Sequence, residues 1–172
     1  MTLHAITVIG HDRPGIIAEA TGALARLGLN LEDTTMTRLR GHFTMVLLCE
    51  GEVSSRRIVD VLDFLTADGT LSVSARAIPD EPIEEPAATS YVVTVHGADR
   101  PGIVSAIASR LNDVGGNITE MSSRLASGLY ILGAEVELPE GTDVDALEES
   151  LKKTADQLGV GATLQPAESD DL

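Results

Sequence analysis

Aromatic side chains are scarce in this chain. Phe43, Phe64, Tyr91 and Tyr130 are the only four among 172 residues, and tryptophan is absent. Four rings do not furnish the stacking platforms on which single-stranded nucleic acid is held. Positive charge is scarce as well: 12 Lys and Arg stand against 27 Asp and Glu, a net charge of −15. Such a chain repels a phosphate backbone, which argues against direct nucleic-acid binding. The one cysteine, Cys49, rules out an internal disulfide and a four-cysteine zinc site. It sits in the apolar run Met45-Val46-Leu47-Leu48 and reads as a core residue. No apolar run approaches the roughly 20 residues of a membrane span. The opening Met1-Thr2-Leu3-His4 lacks the pattern of a signal peptide. A cytoplasmic protein with no membrane or nucleic-acid partner is expected. Phosphate-binding glycine loops, the G-x-S-x-G elbow and the H-E-x-x-H helix are all missing. The four histidines, His4, His11, His42 and His96, show no helical i, i+4 pairing. The reading is therefore no catalytic residue, no cofactor and no metal.

What the chain does have is a repeat. Gly10-His11-Asp12-Arg13-Pro14-Gly15-Ile16 returns as Gly97-Ala98-Asp99-Arg100-Pro101-Gly102-Ile103, an offset of 87 residues. The offset holds without a gap through Leu24/Leu111, Gly28/Gly115, Asn30/Asn117, Gly41/Gly128 and Glu50/Glu137. A fixed period of this kind marks duplicated structural units. Between the copies, residues 79–89 carry three prolines and four carboxylates, a composition suited to an extended linker. The expected organisation is domain 1 over 1–78, linker 79–89, domain 2 over 90–166 and an acidic tail over 167–172. Domain 1 carries a net charge of −2 and domain 2 of −6, so about half the excess lies in the linker and tail.

Each copy gives the same order of elements. Ala5-Ile6-Thr7-Val8-Ile9 and Tyr91-Val92-Val93-Thr94-Val95 are short β-type runs, apolar without alternation. That suits a strand covered on both faces or central in its sheet. Ile16, Ala20, Leu24 and Leu27 then recur at helical spacing, as do Ile103, Ile107, Leu111 and Val114. Gly28 and Gly115 stop these helices. Two β-type runs flank a turn at Arg40-Gly41, and again at Ser127-Gly128. A second helix uses Ile58, Val61, Leu62 and Leu65, or Val144, Leu147, Leu151 and Leu158. A last strand alternates through Leu71, Val73 and Ala75, or Val160, Ala162 and Leu164. The fold class is α+β: two ferredoxin-like βαββαβ domains, each an antiparallel sheet with helices on one face.

The chemistry is concentrated in the loop between first strand and first helix. Pro14 and Pro101 suit a helix start. Gly15 and Gly102 leave backbone N–H groups uncovered at the positive end of the helix dipole, which attracts a carboxylate. Asp12 and Asp99 are expected at or beside the helix cap, and Arg13 and Arg100 project from the same loop. Asn30 and Asn117 open the next strand and are expected to return near the loop. Anion donors, an acid for an ammonium group and an amide together match a free α-amino acid. Asp12 and Asp99 read equally well as helix caps, and the glycines as turn geometry.

Asp-Arg-Pro-Gly-Ile after a strand, followed by Gly-x-Asn opening the next, resembles the ACT domain. The resemblance covers both copies, and a tandem pair is similar in particular to the glycine cleavage system transcriptional repressor family. It implies regulation without catalysis, in amino-acid or one-carbon metabolism. It implies a small ligand, commonly an amino acid, bound where two domains meet. The implied ligand residues are His11, Asp12, Arg13, Pro14, Gly15, Ile16 and Asn30, with Asp99, Arg100, Pro101, Gly102, Ile103 and Asn117. A homodimer and a protein partner, through which transcription is controlled indirectly, are also implied. The alternative is a ligand-free module that docks on a metabolic enzyme or regulator.

Overall fold

A computed structural model describes residues 1–79 and 88–167. The chain divides into two compact units, Met1–Ile83 and Glu84–Leu172. In the first, β1 (Thr2–His11), α1 (Ile16–Arg26), β2 (Asn30–Leu39), β3 (His42–Gly51), α2 (Ser55–Leu62) and β4 (Leu71–Ile78) follow in order, with a 3-10 turn at Asp63–Leu65. In the second, β5 (Ala88–Ala98), α3 (Ile103–Asp113), β6 (Asn117–Ala126), β7 (Leu129–Pro139), α4 (Val144–Leu158) and β8 (Val160–Pro166) repeat the pattern. The sheets run β2-β3-β1-β4 and β6-β7-β5-β8, antiparallel throughout. Two ferredoxin-like βαββαβ units are what the sequence pattern predicts. Most of the segment read as linker falls outside the described residues, as do 168–172 of the tail. Ala88 and Thr89, at the end of that linker, open β5 and pair with Pro139 and Leu138.

The uniformly apolar first strands are explained by their place in the sheet. β1 and β5 are interior strands, bonded on both edges. Only one face is covered by helices, so the option of two covered faces does not hold within a unit: Ile6 and Val8 are buried while Ile9 is 48% exposed. On the helix side, Ile6, Val8, Phe43, Met45 and Leu47 meet Ile16, Ala20 and Leu24 of α1 and Ile58 and Leu62 of α2. Val93, Val95, Leu132 and Val136 meet Ile107, Leu111, Leu147 and Leu151 in the same way. Burying such side chains stabilises each unit by about 1.5–3 kcal/mol apiece. Cys49 belongs to this core, and burial raises its thiol above the ordinary value, with the Glu32 charge adding. His4 is the one buried polar side chain among the described residues; its Nδ1 lies 3.2 Å from Ser55 Oγ, and its Nε2 meets no protein partner.

Two details frame the loops. Gly10 and Gly97 sit near the ends of β1 and β5 with φ of 153° and 154°. A Cβ at Gly10 would lie 2.1 Å from the Thr70 carbonyl oxygen, so only glycine lets β1 approach β4 there. The outer strands β2 and β6 each carry a bulge, between Leu31 and Asp33 and between Ile118 and Glu120, at corresponding places in the repeat.

Candidate functional site

The repeated loop joins the end of β1 to α1, and the end of β5 to α3. Neither helix begins as the sequence suggested. Gly15 and Gly102 are the N-caps, in left-handed conformations with φ of 93° and 92°, and no side chain caps either helix. Pro14 and Pro101 therefore precede the helices, and Asp12 and Asp99 lie three residues ahead of the caps. Nothing lies within 4 Å of a Cβ built on Gly102. Glycine is there for its φ and not for want of room. The first N–H groups of each helix are left without an intrachain side-chain acceptor, at the positive end of the dipole.

In the first unit the loop charges are already matched. The Arg13 guanidinium grips Glu19 as a fork, Nη2 to Oε2 at 2.8 Å and Nη1 to Oε1 at 3.2 Å. The hydrogen bond to Arg13 holds the Glu19 carboxyl below its ordinary value, and Glu19 raises Arg13. Arg38 of β2 donates from Nη1 to Asp12 Oδ2 at 3.1 Å. The Asp12 N–H donates to the Gly41 carbonyl at 2.8 Å, which ties the loop to the β2–β3 turn. A cavity of about 340 Å³ opens here, lined by Asp12 through Ala18 with Met36 and Phe43. Glu19, Arg38 and Met36 lie outside the repeated motif and join the loop only in the folded unit. The hairpin turn at Arg40-Gly41 was the available signal, because it sets Arg38 opposite Phe43 and so beside the loop.

The second loop is built differently. At the offset of 87, Ala106 stands for Glu19 and Leu125 for Arg38. Among the described residues neither Asp99 nor Arg100 takes part in an ion pair. Arg100 and Pro101 line a cavity of about 450 Å³ with Asp156, Gln157, Leu158 and Gly159, where α4 ends. A Cβ on Gly159 would come 3.6 Å from Arg100 Nε, so the guanidinium lies against the negative end of that helix.

Asn30 and Asn117 do not join their loops, and the expectation that they return nearby is corrected. Asn30 pairs with Glu50, whose partner in β1 is Leu3. The loop follows His11, eight residues further along the strand, about 26 Å at 3.3 Å per residue. Asn117 pairs with Glu137, which pairs with Ser90, again at the far end from Ala98. The physical reason is the direction of the helix: α1 carries the chain back across the sheet before β2 starts. Asn30 instead lines a separate groove of about 410 Å³ between α1 and β2, with Thr21, Ala25, Leu31 and Cys49 among its walls. Within one unit the structure brings His11, Asp12, Arg13, Pro14, Gly15 and Ile16 together, and Ala98 through Ile103 likewise, each without its asparagine.

Comparison with known proteins follows the same division. The ACT-domain family model matches residues 3–75 and 89–165. A UPF0237 protein of Methanopyrus kandleri is 41% identical over 78 residues, 45% of this chain and 87% of that protein. The glycine cleavage system transcriptional repressor of Escherichia coli is 24% identical over 166 residues, 92% of this chain and 87% of that protein. The crystal structure of an unknown protein from Galdieria sulphuraria is similar in fold, with a TM-score of 0.80 at 24% identity over 96% of this chain and 98% of that one. A candidate glycine cleavage system transcriptional repressor of known structure matches over 95% and 96%, with a TM-score of 0.67 at 19% identity. At these identities the two structures speak for the fold alone. Two matched copies, each reaching all six elements of a βαββαβ unit, make this chain a tandem member of the ACT-domain family.

Proposed function

We propose that this protein is a non-catalytic, cytoplasmic regulator whose ACT domains bind a small effector, an amino acid, where two domains meet. The observation that carries the reading is the repeated loop: an uncapped helix N-terminus set by Gly15 or Gly102, with an acid and an arginine beside it. That combination offers partners for a carboxylate and for an ammonium group at one place. Membership of the ACT-domain family supports a seat where two domains meet. Leu31 and Met36 of β2 and Met121 and Leu125 of β6 are exposed large apolar residues on the outer strands, and Ile17 and Val104 are exposed in the first turns of α1 and α3. They give a homodimer its contact surface. Similarity to the Escherichia coli repressor supports control of glycine or one-carbon metabolism, exerted on transcription through a protein partner. Effector binding then works by favouring one packing of domains over another.

The matched charges of the first loop favour a second reading for that copy alone. Asp12 and Arg13 are occupied by Arg38 and Glu19, so this half serves as a ligand-free docking module while the second loop takes the effector. Thermal unfolding against the twenty amino acids plus folate and purine metabolites tests both. An effector at 100 times its dissociation constant stabilises by about 2.7 kcal/mol, a shift of several degrees at this size. A selective shift that Asp99→Ala removes and Asp12→Ala retains supports the divided assignment. No shift with any compound defeats the sensor reading.

A further inference from the structure

We infer that His11 and His42 form a two-histidine seat for a divalent transition-metal ion of the zinc, nickel and copper class. The sequence spacing gave no pairing, because 31 residues separate them. The sheet supplies it: they are direct partners on one rung of the β1–β3 ladder. Directly opposed side chains leave a sheet side by side on the same face. Phe43, next along β3, is buried in the core, whereas His11 and His42 are both exposed. The pair therefore stands on the sheet face that no helix covers.

The ring centroids are 6.4 Å apart and the ring planes lie at 89°. A shared ion requires two metal–nitrogen bonds of about 2.0–2.1 Å; with roughly 1 Å more from nitrogen to ring centre on each side, two imidazoles held at the tetrahedral angle on one ion have ring centres about 5 Å apart. The observed spacing exceeds this by about 1.4 Å. Binding requires both rings to turn about their side-chain torsions, and both are exposed and have room to do so. Imidazole is a preferred ligand for zinc, copper and nickel, and the neutral ring is the binding form. No group of three or more His, Cys, Asp or Glu side chains suited to a metal occurs among the described residues. The seat is thus bidentate, and its remaining positions go to water or to a donor from outside the chain. Ala98 faces Leu129 on the matching rung of the second unit, so that rung holds no second seat. The seat shares His11 with the implied effector residues but does not require the amino-acid reading above.

Zinc and nickel titrations of the full chain, by calorimetry and by competition with a chromogenic chelator, test the inference. One ion per chain is expected. His11→Ala and His42→Ala should each weaken uptake roughly tenfold or more, since either removes the second arm of the chelate. His96→Ala is the control: it removes an exposed histidine whose ladder partners are Ile131 and Gly161, and uptake should stay unchanged. Saturating zinc should raise the unfolding temperature of the wild type and not of His42→Ala. No stoichiometric uptake of either ion, or uptake that survives both single substitutions, overturns the inference.

Discussion

Gly10→Ala is the sharpest probe of how the first loop is held. The added methyl would stand 2.1 Å from the Thr70 oxygen and 2.8 Å from the Leu71 Cα. Both are backbone atoms, so no side-chain rotation relieves the contact. Thr70 cannot withdraw freely either, since its carbonyl accepts the His11 N–H at 2.9 Å. Three costs combine: a side chain at φ of 153°, about 1–3 kcal/mol; forced overpacking, about 1–3 kcal/mol; and a weakened backbone hydrogen bond, about 1 kcal/mol. Together they amount to about 3–7 kcal/mol, against about 5–15 kcal/mol for a whole domain. Gly15→Ala is the matched comparison. Its new methyl meets only the far end of the Glu19 side chain, at 3.3 Å, so the cost is conformational, about 1–2 kcal/mol. Urea unfolding followed by circular dichroism gives the magnitudes. Hydrogen exchange read by mass spectrometry gives the location, with faster exchange expected in 2–78 and none gained in 88–166. A Gly10→Ala protein within about 1 kcal/mol of wild type, or less damaged than Gly15→Ala, would refute the close-approach argument.

Two further outcomes follow from the first unit. Because Arg13 depresses the Glu19 carboxyl, their pairing contributes above the ordinary carboxylate range and fades as pH falls through the depressed value. Arg13→Ala should return the Glu19 titration, read from its side-chain carbon by NMR, to the ordinary range; an unmoved midpoint contradicts the fork. Ser55→Ala should cost about 1–3 kcal/mol, since it leaves both ring nitrogens of buried His4 without a protein partner. Equal urea midpoints for the two proteins would show that the hydroxyl does not hold that ring.

The order of elements was legible because each rests on a local rule. Helical recurrence of Ile16, Ala20 and Leu24, glycine stops at 28 and 115, and the Arg40-Gly41 turn all act over a few residues. The helix starts were misread for a related reason. Proline and aspartate before a helix suggest an ordinary cap, yet a glycine at φ of 93° takes the position and displaces Asp12 outward. The site was harder to read because it is assembled by register. Which end of the sheet Asn30 occupies depends on the direction α1 takes across it, and Gly-x-Asn does not encode that direction. Arg38 reaches Asp12, and His42 reaches His11, only once β3 is laid beside β1. The duplication also misleads: the shared Asp-Arg-Pro-Gly-Ile suggests twin sites, while Glu19 and Arg38 have Ala106 and Leu125 as their counterparts.

The matching bulges in β2 and β6 bear on how far this molecule can polymerise. Among the described residues each four-stranded sheet ends in two outer strands, β2 and β4 in the first unit and β6 and β8 in the second. Each margin invites strand-by-strand growth into a fibre. A bulge at the second or third residue of an outer strand leaves one residue out of step there, so an incoming ladder has a shorter straight stretch to copy. In β2 that stretch runs from Asp33 to Leu39, and in β6 from Glu120 to Ala126. Strand-by-strand association through β2 or β6 is thereby limited to that shorter stretch.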